Sequence, residues 1–213
     1  MRSMSATATR REFLEGACLT TLAAGAGVVV AGCAPSAKTT PTSDRLAPDV
    51  RLLSLAASVE LALVSAYDAA LRVTQHGGRL APAPPAFAAL VAQARAHHVS
   101  HAAALNRTLT DSGRTRASNA DKALRSLAVQ RLSAAQSVSD VASAMQVLEL
   151  TSTQTYVALA PQLSDGRART LAVALAAVEA QHAAVLTYLL GAEPLPDASM
   201  GVSLARGVGD LRG

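Results

Sequence analysis

Residues 178–186 read VEAQHAAVL, and Glu179 and His182 are the only titratable side chains of the Asp, Glu, Lys, Arg or His types between residues 170 and 192. Positions i and i+3 share a helix face, so both groups point the same way among apolar neighbours. One Glu-x-x-His says little by itself. Its weight comes from a second copy: HVSHAAAL at 98–105 aligns with EAQHAAVL at 179–186, which puts His98 and His101 where the later segment has Glu179 and His182. Two other segments also match each other, with Tyr67 seven residues after Glu60 and Tyr156 seven residues after Glu149. The chain reads as a two-fold pseudo-repeat of a helical hairpin.

Four long helical segments carry these groups, and strand-like alternation occurs nowhere. The first is expected over residues 49–73, closed by His76-Gly77-Gly78. The second starts at Pro85, a favoured first-turn residue, and runs to the break at Asp111-Ser112-Gly113. The third is expected over 139–163, with Ser139 or Asp140 as its cap, and the fourth over 169–191, stopped by Gly191 and Pro194. Short connections within each pair predict antiparallel neighbours. About thirty residues separate the second and third segments, including the amphipathic ADKALRSLAVQRLSAA, which suits a connection crossing the length of a bundle. The fold class is therefore all-α, an antiparallel four-helix bundle over 49–192 followed by a Pro- and Gly-containing tail at 193–213.

Half of the 213 residues are hydrophobic and none is Trp, so the core is built from Ala, Leu and Val in closely packed helices. The formal charge of +4 comes from scattered Lys and Arg. Without a basic run it reads as surface solvation, and no nucleic-acid partner is expected.

Glu60 is the only charged residue from Leu52 to Tyr67, and Glu149 the only one from Val141 to Ser164. A solvated helix face carries several charges; a lone carboxylate on an uncharged helix faces inward. Burying it unpaired costs several kcal/mol, so it must be neutral, hydrogen-bonded or bound to a cation. Counted from the hairpin turns at 1.5 Å per residue, all six polar positions lie at similar depth, about ten to sixteen residues from the turn. Glu60, His98, His101, Glu149, Glu179 and His182 thus form one layer, and carboxylate with imidazole suits a divalent transition metal. His97 and His101, at i and i+4, form an alternative imidazole pair. Tyr67 and Tyr156 are expected as core aromatics with a satisfied hydroxyl, Phe87 and Tyr188 as packing residues, and His76 as solvated. The central ionisable groups and the abundant Ser, Thr and Gln place the apolar helices in a bundle core rather than a bilayer.

A Glu from each of two helices and Glu-x-x-His from each of the other two, with a long crossover, resembles the ferritin-like di-iron or di-manganese carboxylate proteins, particularly their exported bacterial branch. The resemblance implies Glu60 and Glu149 as terminal carboxylate ligands, His101 and His182 as imidazole ligands, and Glu179 as a carboxylate able to bridge. The departure is His98, which stands where the family pattern has Glu. With three carboxylates and up to three imidazoles the site is more positive than the family's. This opens the choice among iron, manganese and zinc, between a di-metal and a mononuclear site, and between a metalloprotein and a metal-free helical interaction module.

The N-terminal 32 residues are similar to a twin-arginine signal: Arg10 and Arg11 precede the apolar run ACLTTLAAGAGVVVA. The run ends in VAGC, which resembles the lipobox of bacterial lipoproteins, with Val30 where Leu is usual. That resemblance implies cleavage before Cys33, lipidation of its thiol, and export to the outer side of the cell membrane, with a homodimer or another envelope protein as the expected partner. Residues 33–48 read as a Pro-, Ser- and Thr-containing tether. Cys18 would leave with the signal and Cys33 would carry lipid, so no free thiol remains for chemistry.

Overall fold

The computed structural model describes residues 43–75, 77–194 and 199–209, with side chains from Pro48 onward. The expected signal, Cys33, most of the tether and His76 lie outside the described residues. Among the described residues five α-helices occur in order: α1 (Ser43–Thr74), α2 (Pro85–Asp111), α3 (Lys122–Ala134), α4 (Val138–Leu159) and α5 (Gly166–Leu189), with a short 3-10 turn at Ala160–Gln162 between the last two. No strand occurs among the described residues, as the sequence predicts.

α1 pairs chiefly with α2 and α4 with α5, while α3 packs across α1 and α4. The apolar residues form two clusters. One contains the start of α1, the end of α2, the end of α4 and the start of α5, with Leu53, Leu109, Leu159 and Ala172 among its members. The other contains Tyr67, Phe87, Val91, Met145, Leu148 and Leu186, together with Leu124, Ala128 and Leu132 of α3. Membership of the ends shows the directions: α1 and α5 run one way, α2 and α4 the other. The α2–α4 connection therefore returns along the bundle, which is why it is long and why α3 fits within it. On α2, α4 and α5 the residues 98–101, 149 and 179–182 fall between the two clusters. A polar layer is thus enclosed by two apolar plugs.

Local chemistry fixes the ends. The Asp49 carboxylate, 2% exposed, accepts the backbone N–H groups of Ser164 and Asp165 at 2.8–3.0 Å, clipping α1 to the α4–α5 turn. Asp121 caps α3 through Leu124 N–H, and the Arg79 guanidinium donates to the Leu132 and Ala135 carbonyls at its other end. The cap of α4 is Ser137, earlier than expected; Asp140 is its reciprocal partner three residues on, forming a capping box. Asp165 caps α5, which therefore begins three residues before the expected Arg169. α1 also begins early, at Ser43, with Pro48 inside it. Proline removes one intrahelical hydrogen bond there, and the helix continues past it.

Two further differences concern the surface. Tyr188, expected to pack, is 70% exposed. It lies two residues beyond buried Leu186, about 200° around the helix and so on the opposite face. The tail is docked on α4: Leu204 N–H donates to Gln154 Oε1 at 2.8 Å and Arg206 N–H to Thr155 Oγ1 at 2.9 Å, while the Arg206 guanidinium pairs with Asp121. This contact covers part of the polar TSTQT run of α4, whose five residues are all buried. The spans Pro48–Thr74 and Gly166–Leu189 are long and apolar enough to cross a membrane by length and composition. Both pack in the bundle, and each holds a buried carboxylate.

Candidate metal centre

All six residues read from the sequence as one layer meet at the bundle centre. Glu60, Glu149, Glu179 and His98 are fully buried, and His101 and His182 are 8% and 6% exposed. Two overlapping groups have ligand atoms within 4.8 Å of one another: Glu60, His98, His101 and Glu179, and His98, Glu149, Glu179 and His182. His98 and Glu179 belong to both.

Each carboxylate is held from the opposite hairpin. Tyr67 of α1 donates its hydroxyl to Glu149 of α4, and Tyr156 of α4 donates to Glu60 of α1. The seven-residue spacing thus carries two turns of helix between a carboxylate and a tyrosine that serves the other hairpin's carboxylate. Both tyrosines are core residues with satisfied hydroxyls, as expected, and their partners are site residues. Burial, then the facing Glu149 or Glu60 charge, pushes each phenol well above its ordinary range, so both remain protonated donors.

His98 lies between the hairpins. Its Nδ1 is 2.8 Å from Glu60 Oε2 and its Nε2 3.0 Å from Glu149 Oε1. A carboxylate only accepts, so both ring nitrogens donate and the ring is an imidazolium. Burial opposes that charge, but Glu149 and Glu179 outweigh it and hold His98 well above the usual imidazole range. Burial likewise opposes ionisation of Glu149, yet the His98 charge and the nearby His182 keep its carboxyl well below the usual range. Glu60 is also lowered: burial works against it, and the nearby His101 and the hydrogen-bonded His98 overcome this. Glu179 goes the other way. Burial and the Glu60 charge raise its carboxyl well above the ordinary value.

His101 Nδ1 is 2.7 Å from Glu179 Oε1. His182 is held differently: its Nε2 is 2.9 Å from Nδ1 of His97, whose other nitrogen meets the Gln93 amide at 2.7 Å. The His97 and His182 rings stack with centroids 5.1 Å apart. His97 therefore pairs with His182 across the α2–α5 contact, and not with His101 as a ligand pair. Sequence reasoning missed this orienting role; the position beside His98 was visible, its facing helix was not. Burial opposes protonation of His182, but Glu149 and Glu179 raise it to about 9.

The donor set fits a metal. Glu149 Oε2, Glu179 Oε2 and His182 Nδ1 are buried without a hydrogen-bond partner, a condition that costs free energy unless something else coordinates them. His182 Nδ1 lies 3.5 Å from Glu149 Oε1 and 3.7 Å from Glu179 Oε2, beyond hydrogen-bonding distance. Donors that share an ion at about 2.1 Å lie about 3–3.5 Å apart, so these gaps close on a cation with small side-chain movement. A second imidazole nitrogen fixed by a neighbour, as His97 fixes His182, is the usual arrangement around a metal-ligating histidine.

A helical bundle with one long crossover, enclosing three carboxylates and three imidazoles at mid-depth, defines a class of proteins whose core is compatible with metal binding. A sequence model of the ferritin-like domain matches residues 48–192. The chain belongs to the ferritin-like family. No curated protein and no solved structure gives a significant match.

Proposed function

We propose that this chain is an exported, lipid-anchored ferritin-like protein whose bundle core binds iron or manganese, with zinc as a redox-inert alternative. The observation that carries metal binding is the convergence of three unpartnered buried donors, Glu149 Oε2, Glu179 Oε2 and His182 Nδ1, within a cluster of six candidate ligands. When bound, iron or manganese supplies the one-electron couple that reaction with oxygen or peroxide requires. The chain's own residues prepare the place for it. Tyr67 and Tyr156 orient the carboxylates, His97 orients His182, and the apolar clusters on either side exclude water. Protons on His98 and His182 balance charge in the metal-free chain, and His182 releases its own on receiving a cation.

The anchoring half of the reading rests on Arg10-Arg11, the apolar run and Cys33. Its test is cell fractionation with labelled fatty acid: the native chain takes label and sediments with membranes, and Cys33→Ser does neither. Metal binding is tested by loading the purified chain with each ion, dialysing and counting metal per chain, with thermal unfolding measured with and without chelator. A second reading, a metal-free interaction module, is favoured by one observation: His98 already ties Glu60 to Glu149, so part of the cluster satisfies itself. Under that reading chelator has no effect on unfolding.

A further inference from the structure

Resting on the metal-binding reading above, we infer that the centre is one-sided: it takes a single divalent transition ion through Glu149, Glu179 and His182, while the half formed by Glu60, His98 and His101 is already closed by hydrogen bonds. The family pattern, with its two-fold repeat, predicts two equivalent half-sites. The distribution of satisfied and unsatisfied atoms is not two-fold.

In the first half every carboxylate oxygen has a donor. Glu60 Oε1 accepts the Tyr156 hydroxyl, and Glu60 Oε2 is 2.8 Å from His98 Nδ1. His101 Nδ1 is engaged by Glu179 Oε1 at 2.7 Å. An ion entering here must break these contacts. In the second half, Glu149 and Glu179 each have one oxygen occupied and one unpartnered, and His182 Nδ1 has no hydrogen-bond partner. The remaining buried orphan among the described residues, Ser152 Oγ, belongs to the same helix as Glu149, one turn further along. Its counterpart in the first hairpin, three residues after Glu60, is Leu63. All four unpartnered buried polar atoms therefore fall on the second hairpin.

Orientation and charge agree with this division. His182 has its outer nitrogen fixed by His97, leaving the inner one directed at the carboxylates. No contact of that kind is seen on His101, whose Nδ1 is the nitrogen already engaged. Two carboxylates neutralise one divalent ion, and Glu149, Glu179 and His182 supply a mixed oxygen and nitrogen set suited to manganese, iron or zinc. His98 spans both halves through its two nitrogens, occupying the space where the repeat would otherwise place a fourth carboxylate.

The experiment uses the full purified chain, stripped with chelator and then loaded with Zn(II) or Mn(II). Metal analysis after desalting should give one ion per chain, and X-ray absorption on the loaded chain should count one imidazole on it. His182→Ala should empty the site, Glu60→Gln should keep it filled, and His98→Glu, which restores the fourth carboxylate, should raise the count to two. Two ions in the parent, two imidazoles on one ion, or a site emptied by Glu60→Gln but not by His182→Ala would overturn the one-sided centre and leave metal binding intact. No ion in the parent under any loading defeats the metal-binding reading and this inference with it. The absorption measurement needs no variant, so it decides the matter even where a substitution unfolds the chain.

Discussion

The two hairpins are near copies that the chain uses differently. Both carry a carboxylate, a tyrosine seven residues later, and a histidine in the facing helix. The tyrosines cross, each serving the other hairpin's carboxylate, so neither half is assembled without the other. Among the site residues, the equivalence breaks where the first hairpin has His98 and the second has Glu179. A carboxylate in that place can share a cation with its neighbours, whereas an imidazolium is itself a cation and draws Glu60 and Glu149 onto its own N–H groups. In this pseudo-symmetric core both oxygens of Glu60 are therefore occupied, while Glu149, Glu179 and His182 each keep one buried atom without a hydrogen-bond partner.

The largest effects should come from removing a carboxylate. Glu149→Ala leaves buried His98 and Tyr67 without their shared acceptor and should cost about 3–5 kcal/mol in denaturant unfolding of the metal-free chain. Glu60→Ala should cost a similar amount, since it strands His98 and Tyr156 alike. The two part in their metal response: added Zn(II) should still raise the melting temperature of Glu60→Ala and leave that of Glu149→Ala unmoved.

pH sharpens the comparison next. His98 and His182 have folded values raised above 6.5, His182 to about 9. Their contribution to stability is full below pH 6.5 and is lost as pH rises through the folded values. Glu60 and Glu149 are lowered from 4.5, so their contribution is full above that value and is lost as pH falls through the folded values. Glu179, raised, disfavours the folded state with increasing pH, like the histidines. The metal-free chain should therefore be most stable near pH 4.5, begin to weaken above it as Glu179 resists ionisation, and weaken further from 6.5 toward pH 9 as the histidines lose their protons. Metal affinity should run the other way, rising toward pH 9 as His182 gives up its proton. Parallel urea unfolding and metal titrations across that range check both signs.

A smaller loss is expected from the tyrosines. Tyr67→Phe and Tyr156→Phe each remove one hydrogen bond to a buried carboxylate, about 1.5–3 kcal/mol. Tyr67→Phe should also weaken metal binding, because Glu149 loses its orienting donor; Tyr156→Phe should not. The smallest effect tests the frame around the site. Asp49→Ala unclips α1 from the α4–α5 turn and should cost about 1–2 kcal/mol with metal affinity unchanged, read from melting curves and titration together.

Much of this was legible because the site is written as exceptions to a uniform background. Glu60, Glu149 and Glu179 stand out on uncharged helices, and equal depth from the turns brings them to one layer with His98, His101 and His182. The ferritin-like fold followed from the same spacing. What stayed hidden depends on how helices face each other. His97 is an ordinary half-buried side chain until α2 meets α5 and places it on His182. The crossing of Tyr67 and Tyr156 requires knowing that α1 and α4 adjoin. Ser137 does not stand out as the cap in the sequence, because Ser139 and Asp140 are equally good cap types nearby and only the reciprocal bonds decide. Tyr188 reads as core by composition, and its exposure follows from the helical angle past Leu186. The docking of Arg206 and Leu204 on α4 carries no periodic signal, only backbone N–H groups meeting Gln154 and Thr155.

The most direct test is the number of metal ions retained by the purified chain, before and after His182→Ala, following loading and dialysis. One ion per chain in the parent and none in the variant is the expected result. A parent that retains no ion, or a variant that retains as much as the parent, would contradict the account.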